Sequence, residues 1–370
     1  MKTESITTNT EGMAVDLTWV DMLRGIAIIG VIFDNWTGYM KFTATSNPFY
    51  LLIKNFPWGP FVQVFFILSG FGLTVSYIKQ RNMDWSWKRW IWRRTTKIVI
   101  PYVIGVIFAF ALGILGSYLY SSVDQQFSWS SLFAHLTFTR NFFSTSWDWN
   151  RSFWFMPVII GLYASFPVLL KILEKWGPWV LLLVAVFVTY GTLTIAVWVG
   201  ALNGHQTDFF TFWLVQFSLG IVLAHTKDSA PQKLDSLIGP GAFLLGIGLF
   251  AFSWGLKAFV PMGKVYNDTF TSMGIFLILL NLCWASRLYA PVTERGLSAL
   301  SGKSYYMYLI HYPIITFLIG PLFRTPSNSV VIVALGSIYI IIIFFLCRFL
   351  SRPIDKFTSW LYQLTIEQVK

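Results

Sequence analysis

The sequence predicts an all-α fold: a polytopic membrane protein with about ten transmembrane helices and both termini in the cytoplasm. Three observations carry this. The 370 residues are 55% hydrophobic and only 12% charged, about half the charge of a soluble domain, and the mean hydropathy is +0.61. Apolar runs near the ~20 residues that a bilayer demands recur along the chain. Lys and Arg then alternate between rich and poor connections, as the positive-inside bias requires.

Residues 1–12, MKTESITTNTEG, form a polar tail with no cleavable leader pattern. The transmembrane domain extends over 13–355, and a cytoplasmic tail covers 356–370. Apolar runs near 16–36, 58–79, 98–120, 154–174, 177–200, 209–227, 237–256, 268–288, 303–323 and 328–350 supply the spans. With the N-terminus inside, the outer side collects only Lys41, Lys54, Arg140, Arg151, Lys257, Lys264 and Arg324 of the 27 basic residues. The net charge of +11 is therefore topological and does not indicate nucleic-acid binding. Cys283 and Cys347 sit in apolar surroundings and read as small hydrophobes. Four histidines with no CxxC or HxxxH give no metal site.

Five stretches carry polar groups that a lipid-facing helix would avoid. In RGIAIIGVIFDNW, Arg24 and Asp34 lie ten residues apart, about 15 Å along a helix. Asp34 and Asn35 are then either a rim feature or groups that face a cavity. Lys88, Arg89, Arg93, Arg94 and Lys97 interleave with tryptophans. They form either a headgroup anchor or an anion platform built from guanidinium groups. Ser69, Gly70 and Gly72 permit close helix approach. Trp154 and Tyr163 head a run in which Pro167 kinks the helix. His311 stands inside the ninth apolar run, where a lone histidine is commonly a satisfied core group, and Tyr305 and Tyr308 share a helix face.

In this order the stretches resemble the integral-membrane acyltransferase family 3. Arg24-Gly25-Ile26-Ala27 resembles the family's first-helix pattern. Phe65-Phe66-Ile67-Leu68-Ser69-Gly70-Phe71 resembles its second-helix phrase, and the run from Arg93 to Pro101-Tyr102 its basic segment. Trp154-Phe155-Met156, Gly161-Leu162-Tyr163 and Pro167 resemble its fourth-helix run. Ser304-Tyr305-Tyr306-Met307-Tyr308-Leu309-Ile310-His311 resembles its late Ser-Tyr-x-x-Tyr-Leu-x-His. The likeness is greatest to the polysaccharide and glycan O-acetyltransferase branch.

The resemblance implies transfer of an acyl group, acetyl above all, from cytoplasmic acyl-CoA to a hydroxyl of an extracytoplasmic polysaccharide or lipid-linked sugar. This would take place in the plasma membrane among membrane lipids, with no permanently bound cofactor. Arg24, Arg93, Arg94 and Lys97 would bind the donor. Trp147, Asp148, Trp149, Trp154 and Tyr305 would bind the acceptor. One departure stands out. The family's helix-1 histidine, thought to be the base, is Asn35 here, and an amide takes no proton near neutrality. Asp34 and His311 are the replacement candidates, the latter if its helix packs on the first. Some branches also carry a Glu where this chain has Ile159. The alternative is a catalytically degenerate relative that binds or moves a glycan or lipid.

Overall fold

The computed structural model describes residues 16–39, 56, 58–81, 86–120, 127–142, 149–200, 209–259, 268–322 and 329–366. Every regular element among them is helical. The principal helices are α1 (Thr18–Tyr39), α2 (Phe61–Gln80), α3 (Trp87–Leu119), α4 (Trp129–Leu136), α5 (Phe155–Trp198), α6 (Leu214–Ser229), α7 (Pro240–Phe259), α8 (Asp268–Tyr289), α9 (Pro291–Ser301), α10 (Ser304–Ile314) and α11 (Ser329–Ile366). Among the described residues, six helical stretches are long and apolar enough to cross a membrane: Phe61–Gln80, Trp87–Leu119, Arg151–Trp198, Pro240–Phe259, Asp268–Arg287 and Val330–Thr365.

Hydropathy places the apolar runs well and the helix ends less well. α3 begins at Trp87 and not near 98, because the Ser86 hydroxyl caps it by accepting the Arg89 N–H. The basic cluster is therefore helical. α11 continues through Ile366, so the segment assigned as a tail is largely helix. α10 passes at Pro313 into a π-helical turn, Ile315–Ile319, then a 3-10 turn, Gly320–Leu322. Proline supplies no N–H, and the ladder shifts register around it. The Tyr339 hydroxyl donates to the His311 carbonyl at 2.6 Å, satisfying part of that distorted backbone.

α5 is two limbs, not one rod. Gly177, at φ 85°, breaks the helix ahead of Pro178. A Cβ on Gly161 would meet the Phe210 ring at 2.6 Å, while the Thr189 hydroxyl donates to the Thr211 carbonyl at 2.9 Å. Residues 161 and 189 would stand about 42 Å apart on a straight helix, yet both touch the same turn. The limbs therefore fold back on each other, in agreement with separate runs at 154–174 and 177–200.

The core is welded by close backbone contacts. A Cβ on Gly70 would lie 2.1 Å from the Phe217 carbonyl oxygen, and one on Gly220 would lie 1.9 Å from that of Ile67. Each glycine of the α2–α6 pair thus admits the partner's backbone, the small-residue packing expected of apolar helices. Trp19 packs edge-on against Phe71 with centroids 5.1 Å apart and ties α1 to α2. Cys283 and Cys347 are buried thiols.

Candidate active site

Two cavities follow one another along α1. The first, about 290 Å³, is lined by Arg24, Arg94, Lys97 and Tyr305, with Phe65, Ser69, Phe155, Ile159 and Tyr163 among its other walls. Helical spacing explains the lining. Arg94, Lys97 and Ile98 fall on one face of α3, and Phe155, Ile159 and Tyr163 on one face of α5. Arg93, one residue off that face, is exposed and does not line the cavity. The Arg94 guanidinium stands 5.9 Å from the Trp90 ring centroid. Arg24 lies 3.8 Å from Asp21, whose carboxylate also accepts from the Ser301 hydroxyl at 2.8 Å. The result is a concave site with three cations.

The second cavity, about 380 Å³, is lined by Asp34, Asn35, Arg151, Trp154 and Tyr312, together with Tyr39 and Trp58. Val62 and Tyr308 line both cavities. The Tyr308 hydroxyl donates to the Ser152 carbonyl, and its ring packs on Phe155 at 5.2 Å.

At the wall of the second cavity, α1 meets α10, the arrangement that a role for His311 required. Asn35 Nδ2 donates to the Val31 carbonyl at 2.9 Å and lies 3.2 Å from His311 Nε2. The neighbouring carbonyl fixes the amide orientation, since an amide oxygen there would face another oxygen. His311 Nδ1 points at the Tyr308 and Met307 carbonyls, at 2.8 and 3.1 Å. Nδ1 therefore carries the proton, and Nε2 accepts from Asn35. The imidazole is fully buried and does not line the cavity, and its Nε2 is covered by Asn35, which does. Asp34 lines the cavity itself. The geometry thus separates the two candidate bases: the carboxylate has access and the imidazole is capped.

The aromatic candidates divide. Trp154 lines the second cavity. Trp149 is wholly buried. Its indole donates to the Ser131 hydroxyl at 2.6 Å and packs on His135 at 4.2 Å, so its faces are spent on packing. Trp147 and Asp148 lie outside the described residues. Tyr305 lines the basic cavity and not the second one, donating to the Ile98 carbonyl at 2.6 Å. Sequence reasoning missed Val62, Arg151 and Tyr312. Their signal was spacing alone, with Val62 at i−3 from Phe65 and Tyr312 at i+4 from Tyr308.

The family profile described as an acyltransferase domain matches residues 17–349. The chain belongs to membrane acyltransferase family 3. The chain is 24% identical over 225 residues to nodulation protein 10 of Rhizobium leguminosarum bv. viciae, across 55% of this chain. That alignment spans 58% of the relative's length, under two thirds of it. No solved structure matches the chain. The family match covers every residue that lines either cavity. Asn35, where the resemblance leads one to expect a histidine, is an amide bonded to His311.

Proposed function

We propose that the protein is an O-acyltransferase with Asp34 as its general base. Acyl-CoA, acetyl-CoA above all, binds in the cytoplasmic cavity of Arg24, Arg94 and Lys97. A hydroxyl of an extracytoplasmic polysaccharide or lipid-linked sugar binds in the second. Ten spans and cytoplasmic termini belong to this reading, as does the plasma membrane. The observation that carries it is the pair of cavities meeting at Val62 and Tyr308, one cationic and one holding a carboxylate.

Guanidinium and ammonium groups bind the phosphates of CoA. The pantetheine arm brings the thioester toward the second cavity. The acceptor oxygen attacks the thioester carbonyl and its proton passes to the Asp34 carboxylate. The tetrahedral intermediate collapses with cleavage of the C–S bond. The CoA thiolate leaves and is protonated by the Asp34 carboxylic acid, which restores the carboxylate. Trp154 offers the acceptor sugar an aromatic wall.

The test is release of CoA thiol from acetyl-CoA by purified protein, with water or methyl glucoside as acceptor. Turnover that falls ~10²–10⁴-fold in Asp34→Asn supports the assignment. Turnover that persists in Asp34→Asn and vanishes in His311→Gln transfers the role to His311. No turnover by the wild type, together with turnover by Asn35→His, overturns the reading in favour of a degenerate relative.

A further inference from the structure

The two cavities together hold the three cations and the carboxylate to which the proposed transfer gives roles, and they adjoin. Two side chains, Val62 of α2 and Tyr308 of α10, line both. They stand where the two cavities meet, and neither is placed loosely. Tyr308 is 7% exposed, held by its hydroxyl at the Ser152 carbonyl and by its ring on Phe155. Phe155 in turn stacks on Phe66 at 5.0 Å, with an interplanar angle of 22°. Val62 belongs to the helix whose Gly70 is in backbone contact with α6, so the wall carrying it cannot retreat cheaply. A β-branched valine also has few rotamers to offer.

We propose that Val62 and Tyr308 form the acyl gate of the protein and restrict the donor to short acyl groups. This rests on the acyltransferase reading above. A thioester crossing from the basic cavity must pass its acyl group between a stiff aliphatic side chain and a tethered phenol before the carbonyl reaches Asp34. Beyond them lies a space of about 380 Å³, which the acceptor must share. An acetyl group meets both limits. Each added methylene must displace packed atoms where the cavities meet or take acceptor space, and well-packed protein resists such insertion.

The experiment measures kcat/KM for acetyl-, butyryl- and hexanoyl-CoA as thiol release with methyl glucoside as acceptor, alongside calorimetric binding of CoA. Val62→Ala is expected to raise the butyryl-to-acetyl and hexanoyl-to-acetyl ratios by roughly tenfold or more, the scale of discrimination carried by one or two methylenes. Tyr308→Phe, which loses the tether to Ser152, moves the ratios the same way by less. Val62→Phe blocks transfer, and a cooperative thermal melt in detergent reports that the variant is folded. Wild-type turnover with ratios unchanged in Val62→Ala, or transfer retained in Val62→Phe, overturns the gate and leaves the acyltransferase reading standing. Wild-type protein that binds no CoA and turns over no acyl-CoA overturns both.

Discussion

Asn35 and His311, 276 positions apart in sequence, share one hydrogen bond that decides the protonation of the imidazole. Asn35 Nδ2 faces His311 Nε2 at 3.2 Å while Nδ1 is held by two carbonyls. The ring is thereby a neutral acceptor toward the second cavity, and the amide spends both of its hydrogens inside the protein. Asn35→Leu should therefore cost about 1–3 kcal/mol of stability, the penalty of an orphaned buried acceptor. Asn35→Leu with His311→Leu should cost less than the sum of the single changes. Thermal unfolding of the four proteins in detergent measures the coupling, and additive losses would deny it.

Arg94 and Lys97 line the basic cavity, and Arg93 between α3's two faces does not. Arg94→Gln and Lys97→Gln should each raise KM for acetyl-CoA by roughly 10- to 100-fold with kcat little changed, the signature of binding lost equally in ground and transition states. Arg93→Gln should alter neither. Steady-state kinetics on the three variants separates donor binding from a generic basic surface.

Trp149 and Trp154 are five residues apart and serve different ends. Trp149→Ala opens a cavity beneath His135 and should cost about 3–5 kcal/mol. Trp154→Ala removes a wall of the second cavity and should act chiefly on KM for the acceptor. Melting temperature and acceptor titration, measured together on each variant, distinguish the two.

His135, in α4 within the connection between α3 and α5, makes stability depend on pH. Burial first, and then the nearby positive charge of Arg140, push its pKa from 6.5 down to about 3. Above pH 6.5 neither state is protonated. As pH falls below 6.5 the unfolded chain binds a proton that the folded chain refuses. Stability is lost through this group between pH 6.5 and about 3, at about 1.4 kcal/mol per pH unit. His135→Gln should flatten the fall in melting temperature between pH 7 and pH 5 relative to wild type. An identical pH profile would show that His135 titrates freely.

Much of the bundle was legible because a membrane helix announces itself by apolar length. The runs at 58–79 and 268–288 fall almost residue for residue on α2 and α8. The start of α3 was hidden because its first two turns carry the charged cluster, and hydropathy cannot see a helix that lies where charge is tolerated. The continuation of α11 past residue 350 was hidden for the same reason. At the site, Arg24 and Asp34 were legible as opposite ends of one helix, and they do open on different cavities. The pairing of Asn35 with His311 was not, because it depends on how α10 meets α1. Nor could sequence tell Trp149 from Trp154. Both sit in the same Trp-Ser-Asn context, and only the packing of α4 buries the first.

Val62 and Tyr308 have a consequence for the bilayer as well as for the thioester. On the proposed reading the two cavities face opposite sides of a membrane, and a protein so built is one breach away from being a pore through which a proton or ion leak dissipates the gradient. Where the two cavities meet stand an isopropyl group and a phenol whose hydroxyl donates to the Ser152 carbonyl. Neither offers water a continuous file of hydrogen-bond partners. The proposed acyl gate would therefore also insulate, and enlarging it to admit longer donors would be expected to erode membrane tightness in step with selectivity.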